Sequence, residues 1–309
     1  MMLTVQTLFA AFLRLSVPII LMGLANMFCE RSGVMNLGAE GMMIAGAFGA
    51  VLGTFFFGNP WIGVLFGILG SMLISGAHSL ISVEFGGNQN ISGLGLNTLA
   101  AGLASFFCRE LFGSGISKSV QNLQRTAFLQ GIPGIGPFLS KFSPLAYICV
   151  LAVVVSSFVM RRTVLGTRIV AVGDDPITAE TAGINVWRLR HLCVSVFCGV
   201  LAGLAGAYLS IGQLSFFQDN MTNGKGMLAV IAVKMGRWDP LRIVLVAMMF
   251  GFFDALQTQL QLNNALNLSP ELIQMIPYLV GVAALILSGE SAAFPQSLRK
   301  PYLKNKYQF

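Results

Sequence analysis

The chain has 309 residues, of which 10 % are charged and 55 % hydrophobic, with a net charge of +7. A soluble domain of this size carries about a quarter charged residues, so water is excluded as the solvent for most of this surface. The positive balance does not indicate nucleic acid, because the basic residues are confined to short segments between apolar runs.

A helix needs about 20 apolar residues to cross a bilayer. Runs that can form such helices occupy residues 8–27, 36–57, 61–83, 91–112, 145–160, 191–212, 241–262 and 272–288, with a short one at 226–236. The expected fold is therefore all-α and polytopic, with about nine transmembrane segments (eight to ten), one of them short or broken, in a single domain over 1–309. Membrane barrels are excluded, since their strands are alternating segments of about 10 residues. The first run has no basic stretch before it and no clear small-residue cleavage site, so it is expected to be a retained span rather than a signal peptide.

Between the first and second runs lies Glu30-Arg31-Ser32-Gly33-Val34-Met35-Asn36-Leu37-Gly38-Ala39-Glu40-Gly41, with hardly a linker. Charge at membrane depth is costly and usually faces a cavity or a partner. Two readings stand: a short surface loop with a local Glu30–Arg31 contact, or a broken helix on a translocation path that includes Ser32, Asn36 and Glu40. Gly49 with Gly53, Gly63 with Gly67, and Gly199 with Gly203 and Gly206 repeat at helical spacing and predict close helix packing.

The fourth run opens on Asn88, Gln89, Asn90, Ser92 and Asn97 without a charge. Amides donate and accept at once, which suits a neutral polar solute with hydroxyls or a heterocycle. Asn88, Gln89, Ser92 and Asn97 are candidates for contact with it; helix capping by Asn90 or Ser92 is the plainer alternative. After the sixth run, Phe216 and Phe217 suit either stacking on a base or sugar face or anchoring at the membrane surface.

The segment 161–190 is basic, as are the surroundings of Lys234, Arg237 and Arg242 and the tail 289–309, which places all three on the cytoplasmic side. Five runs precede 161–190, so the N-terminus is expected outside. The C-terminus falls inside if 226–236 crosses. Within this loop Asp175 can cap a helix, Pro176 suits its first position and Gly183 its left-handed end, predicting two turns over 176–182. So short a helix needs something to pack on, either its own membrane domain or a partner. The five cysteines lie in or at the ends of apolar runs without metal or redox spacing, and neither His78 nor His191 has a second histidine nearby.

The loop motif from Leu165-Gly166-Thr167-Arg168 through Gly173-Asp174-Asp175-Pro176 to Glu180-Thr181-Ala182-Gly183-Ile184-Asn185-Val186 resembles the coupling loop of type II ABC importer permeases. Glu30 to Gly41, Asn88-Gln89 with Ser92-Gly93 and Asn97, Gly224-Lys225-Gly226 with Gly236-Arg237-Trp238, and Asp254-Ala255-Leu256-Gln257 are similar to the simple-sugar and nucleoside branch of that group. The resemblance implies a permease for a small neutral polar solute, purine nucleosides first and simple sugars second, in a bacterial cytoplasmic (inner) membrane. It also implies that Asp175, Pro176, Thr178, Glu180, Thr181, Ala182 and Gly183 dock on a separate ABC ATPase, which would hold the ATP and magnesium. This chain would bind no cofactor and catalyse no reaction, in keeping with its lack of a G-x-x-x-x-G-K-[ST] phosphate loop. A second permease subunit, commonly forming a heterodimer, and an extracytoplasmic solute-binding protein are the remaining implied partners, alongside membrane lipid. A proton-coupled secondary transporter relaying through Glu40 or Asp254 is the alternative, and a non-transporting membrane scaffold a third reading.

Overall fold

The computed structural model of the chain describes residues 2–123, 140–262, 269–288 and 294–302. Helices dominate them: α1 (Met2–Arg31), α2 (Ala39–Phe57), α3 (Pro60–Glu84) and α4 (Gln89–Phe112), then α5 (Pro144–Arg162), α6 (Val164–Asp174) and α7 (Pro176–Thr181). They continue with α8 (Val186–Leu214), α9 (Lys225–Met235), α10 (Pro240–Leu262), α11 (Pro270–Gln274) and α12 (Ile276–Ser288). Of the tail expected over 289–309, residues 289–293 and 303–309 lie outside the described residues.

Seven of the described helices are long and apolar enough by themselves to cross a membrane, two fewer than the nine segments expected, one of which was expected to be short or broken. The shortfall has two causes. Helix α9 has 11 residues, roughly half the length that a hydrocarbon core of about 30 Å requires at about 1.5 Å per residue. The run at 272–288 is divided at Met275, because Pro277 has no N–H to donate to Ile273 and its ring crowds that carbonyl.

Helix α2 is the centre of the bundle, packed on α3 and α8, and α1 lies along α8, α9 and α10. Glycines set these distances. A Cβ on Gly203 would lie 2.5 Å from the Ile68 Cα, and one on Gly46 would lie 3.0 Å from the Gly203 Cα. With lipid offering no hydrophobic drive between helices, such backbone approach supplies the packing energy. The outward faces remain apolar: Leu65, Leu69 and Leu73 on α3, Phe106 on α4, and Val150, Val154 and Phe158 on α5 are all exposed, as lipid contact requires.

Two ends of the bundle can be distinguished. Leu123 N–H donates to Ile211 O at 3.0 Å, and Asn122 and Ser143 line one cavity with Gly212, so the end of α8 meets both the segment after α4 and the start of α5. Asp219 lies at that end, 3.4 Å from Arg109 on α4. At the far end of α5, Arg161 pairs with Asp239 at 2.7 Å. Residues 219–239 thus carry the chain from one end of the bundle to the other, with α9 supplying only part of the passage.

Candidate functional site

The break between α1 and α2 is a buried irregular segment, not a surface loop. Glu30, Ser32 and Asn36 are each 0 % exposed. Glu30 makes no pair with Arg31; its carboxylate accepts the Trp238 indole N–H at 2.7 Å. Backbone buried inside the protein has no water to bond, so each N–H and C=O of the break needs a protein partner. The amide-rich opening of α4 supplies several. Gln89 Oε1 accepts Met35 N–H at 2.7 Å. Asn97 Oδ1 accepts Gly41 N–H at 2.7 Å while its Nδ2 donates to Leu37 O at 2.7 Å.

His78 completes the clamp, with Nε2 3.0 Å from Met35 O and Nδ1 2.9 Å from Ser92 Oγ, an arrangement that suits the Nε2–H tautomer. Asn36 reaches Asn26 Oδ1 at 2.8 Å through Nδ2 and accepts Gly38 N–H at 2.9 Å. Ser32 Oγ donates to Cys29 O. Asn88 caps α4 by accepting the N–H groups of Asn90 and Ile91. Of the candidates for solute contact, Ser32, Asn36, Gln89, Ser92 and Asn97 therefore converge on the break, and their first partners are protein groups. Gln89 Nε2 is buried with no partner among the described residues.

Glu40 accepts Gly224 N–H and Gly226 N–H, each at 2.8 Å. These are the free donors at the start of α9, where a carboxylate is also favoured by the helix dipole. Beside it Lys225 pairs with Asp254 at 3.1 Å, both side chains largely buried. Phe216 stands apart from this cluster, half-buried after α8, while its neighbour Phe217 is buried edge-on against Phe48.

A separate polar cavity of about 410 Å³ opens at the end of the bundle that holds Asp219. Arg14, Asn122, Lys141, Tyr208, Gln213 and Gln259 line it, and among the described residues no Asp or Glu does. None of these residues belongs to a compact motif, which is why sequence reading passed over them: they converge only when α1, α8 and α10 are packed.

At the opposite end, α7 forms as the sequence predicts. Asp175 Oδ1 accepts the N–H groups of Ile177 and Thr178 at 3.1 and 3.2 Å, Pro176 begins the helix, and Gly183 follows it with φ of 82°. The Thr178 hydroxyl, donating to Asp175 Oδ2, and the two backbone N–H groups hold the Asp175 carboxyl below its ordinary value. Ala179 is the buried contact; Ile177 is 46 % exposed, and Thr178, Glu180, Thr181, Ala182 and Gly183 are also exposed. Arg190, grouped by sequence with the basic residues of segment 161–190, is 1 % exposed and bonded to Ser32 O rather than facing solvent.

The family model described as branched-chain amino acid transport system / permease component matches residues 8–285. The chain is 34 % identical over 304 residues to the guanosine ABC transporter permease protein NupQ of Bacillus subtilis, covering 94 % of each. It is 30 % identical over 314 residues to the nucleoside ABC transporter permease protein NupC of Lactococcus lactis subsp. cremoris, covering 98 % of each. The ABC transporter permease protein TsgC13 of Haloferax volcanii, named for glucose, is 34 % identical over 313 residues, covering 92 % of this chain and 93 % of that one.

Proposed function

Because the chain belongs to the branched-chain amino acid transport system permease family, in the branch of nucleoside and sugar ABC permeases, we propose that it imports purine nucleosides, with simple sugars as the second choice. In this reading α7 docks on a separate ATPase subunit that holds ATP and magnesium. A second permease subunit completes the pathway, and an extracytoplasmic binding protein delivers the solute. The end of the bundle bearing Arg161, Asp239 and α7 faces the cytoplasm of a bacterial inner membrane, with the N-terminus outside and the C-terminus inside.

The observation that carries this reading is the shape of α7. It is a two-turn helix stiffened at both ends, seated through Ala179, and it presents Ile177 and a polar rim outward. A helix of two turns is marginal by itself, and the Asp175 cap with Pro176 keeps it stiff enough to carry load from a partner. The cavity lined by Asn122, Tyr208, Gln213 and Gln259 lies at the opposite end, where a solute would enter, and its amides and hydroxyl suit ribose and base edges. In the relay alternative, Glu40 or Asp254 would have to exchange protons freely. Glu40 instead is held by two backbone N–H groups, and Asp254 by Lys225.

Proteoliposomes holding the assembled complex should take up labelled guanosine only with ATP on the ATPase side, and unlabelled guanosine should compete better than glucose. Uptake driven by a proton gradient without ATP would overturn the importer reading. Stronger competition by glucose would reverse the order of substrates.

A further inference from the structure

The described C-terminal segment 294–302 is a strap across the α7 end of the bundle. Ser297 N–H and Oγ both donate to Gly173 O, at 2.9 and 2.6 Å, tying the strap to the end of α6. Tyr302 is buried, and its hydroxyl donates to Glu180 on α7. Phe294 packs edge-on against Trp238, the residue whose indole holds Glu30 at the end of α1.

Arg190 joins these contacts. Its Nε donates to Ser32 O at 3.0 Å, its Nη2 lies 3.1 Å from Ser297 Oγ, and its guanidinium carbon is 5.7 Å from the Tyr302 ring centroid. Gly33, at φ of 89°, gives the guanidinium room, since a Cβ there would come within 2.7 Å of Nη2. Among the described residues no carboxylate forms an ion pair with Arg190. A buried cation compensated by a carbonyl, a hydroxyl and a ring face tolerates little displacement of any of them, because an unpaired buried charge is strongly disfavoured. Glu180 on the exposed peg and Ser32 in the buried break are thus joined through Tyr302 and Arg190, side chains from two other parts of the chain.

We propose that Tyr302, Ser297 and Arg190 are positioning residues that transmit displacement of α7 to the break at 32–38, making the C-terminal strap part of the coupling linkage. This rests on the importer reading above. The test measures solute taken up per ATP hydrolysed by the reconstituted complex, alongside ATPase binding and thermal unfolding, for Tyr302→Phe, Ser297→Ala, Glu180→Ala and the double variant Tyr302→Phe with Glu180→Ala. Tyr302→Phe keeps the ring over Arg190 and loses the hydroxyl bond to Glu180. It should lower uptake per ATP by about three- to tenfold, the range of a modest coupling energy, while ATPase binding is retained. The double variant should lose no more than the worse single one, because both remove the same bond. Wild-type uptake per ATP in Tyr302→Phe and Ser297→Ala, or multiplying losses in the double variant, would overturn the linkage. A lowered unfolding temperature with an unchanged ratio would assign the strap a structural role only and overturn it equally. Absence of ATP-dependent uptake by the wild type would sink the importer reading itself, whereas a working wild type with unaffected variants sinks this inference alone.

Discussion

Glu40 and Asn97 show how one polar side chain can look like a solute ligand and serve the backbone instead. Both lie next to interrupted helices, and both spend their oxygens on main-chain N–H groups. Replacing Glu40 by Ala removes two charge-assisted bonds, each worth about 1.5–3 kcal/mol, and should lower thermal stability as well as uptake. Glu40→Gln still offers one acceptor, so it should retain most uptake. Loss of all transport in Glu40→Gln with normal unfolding would restore a proton-relay role. Asn97→Leu orphans Gly41 N–H and Leu37 O at about 1–3 kcal/mol for each buried group, and is expected to destabilise the protein without a selective change in KM for solute, read by uptake kinetics and unfolding in parallel. The residue types here were legible in the sequence, but their partners were not, because Met35, Leu37 and Gly41 contribute only backbone atoms to these bonds.

At the scale of elements, helix packing and the α7 peg respond to different glycine properties. Gly206 sits where a Cβ would collide with Met43 O and Ala47 N, whereas Gly102 on α4 faces open space. Alanine is favoured over glycine in a helix by about 0.8–1 kcal/mol, so Gly102→Ala should be neutral or stabilising. Gly206→Ala should instead lose about 1–3 kcal/mol through overpacking, and parallel unfolding in detergent distinguishes the two. Gly183 also has open space around it but lies at positive φ, so Gly183→Val meets only backbone strain of about 1–2 kcal/mol. It should leave the protein inserted and uncouple ATP hydrolysis from uptake; normal uptake would remove α7 from the coupling path. The depressed Asp175 carboxyl sets the pH dependence of the peg. Its cap is in place above the usual carboxylate pKa of about 3.9 and is lost only as pH falls through the lower folded value. Uptake per ATP should therefore be insensitive to this group from about pH 5 upward, and an Asp175-dependent loss near neutral pH would contradict the assignment.

For the whole molecule, the paired ends of the bundle make a topological prediction. Thr178 and Gln218 are both exposed, at opposite ends, and all five native cysteines are free and buried. Single cysteines at these positions should react with a membrane-impermeant thiol reagent from opposite faces, position 178 from the cytoplasm; labelling of both from one face would overturn the crossing by α8, which joins the two positions. The all-helical membrane class, the family resemblance, the glycine ridges and the capped loop helix were legible in the amino-acid order, since each depends on composition or on residues close together in the chain. Helix packing, by contrast, was needed to show that α9 is too short to span by itself, that the amides of α4 clamp the α1–α2 break, and that Arg190 is buried beneath a C-terminal strap. Those outcomes depend on which backbone groups are left unpaired when the helices pack, and residue spacing along the chain carries no record of that.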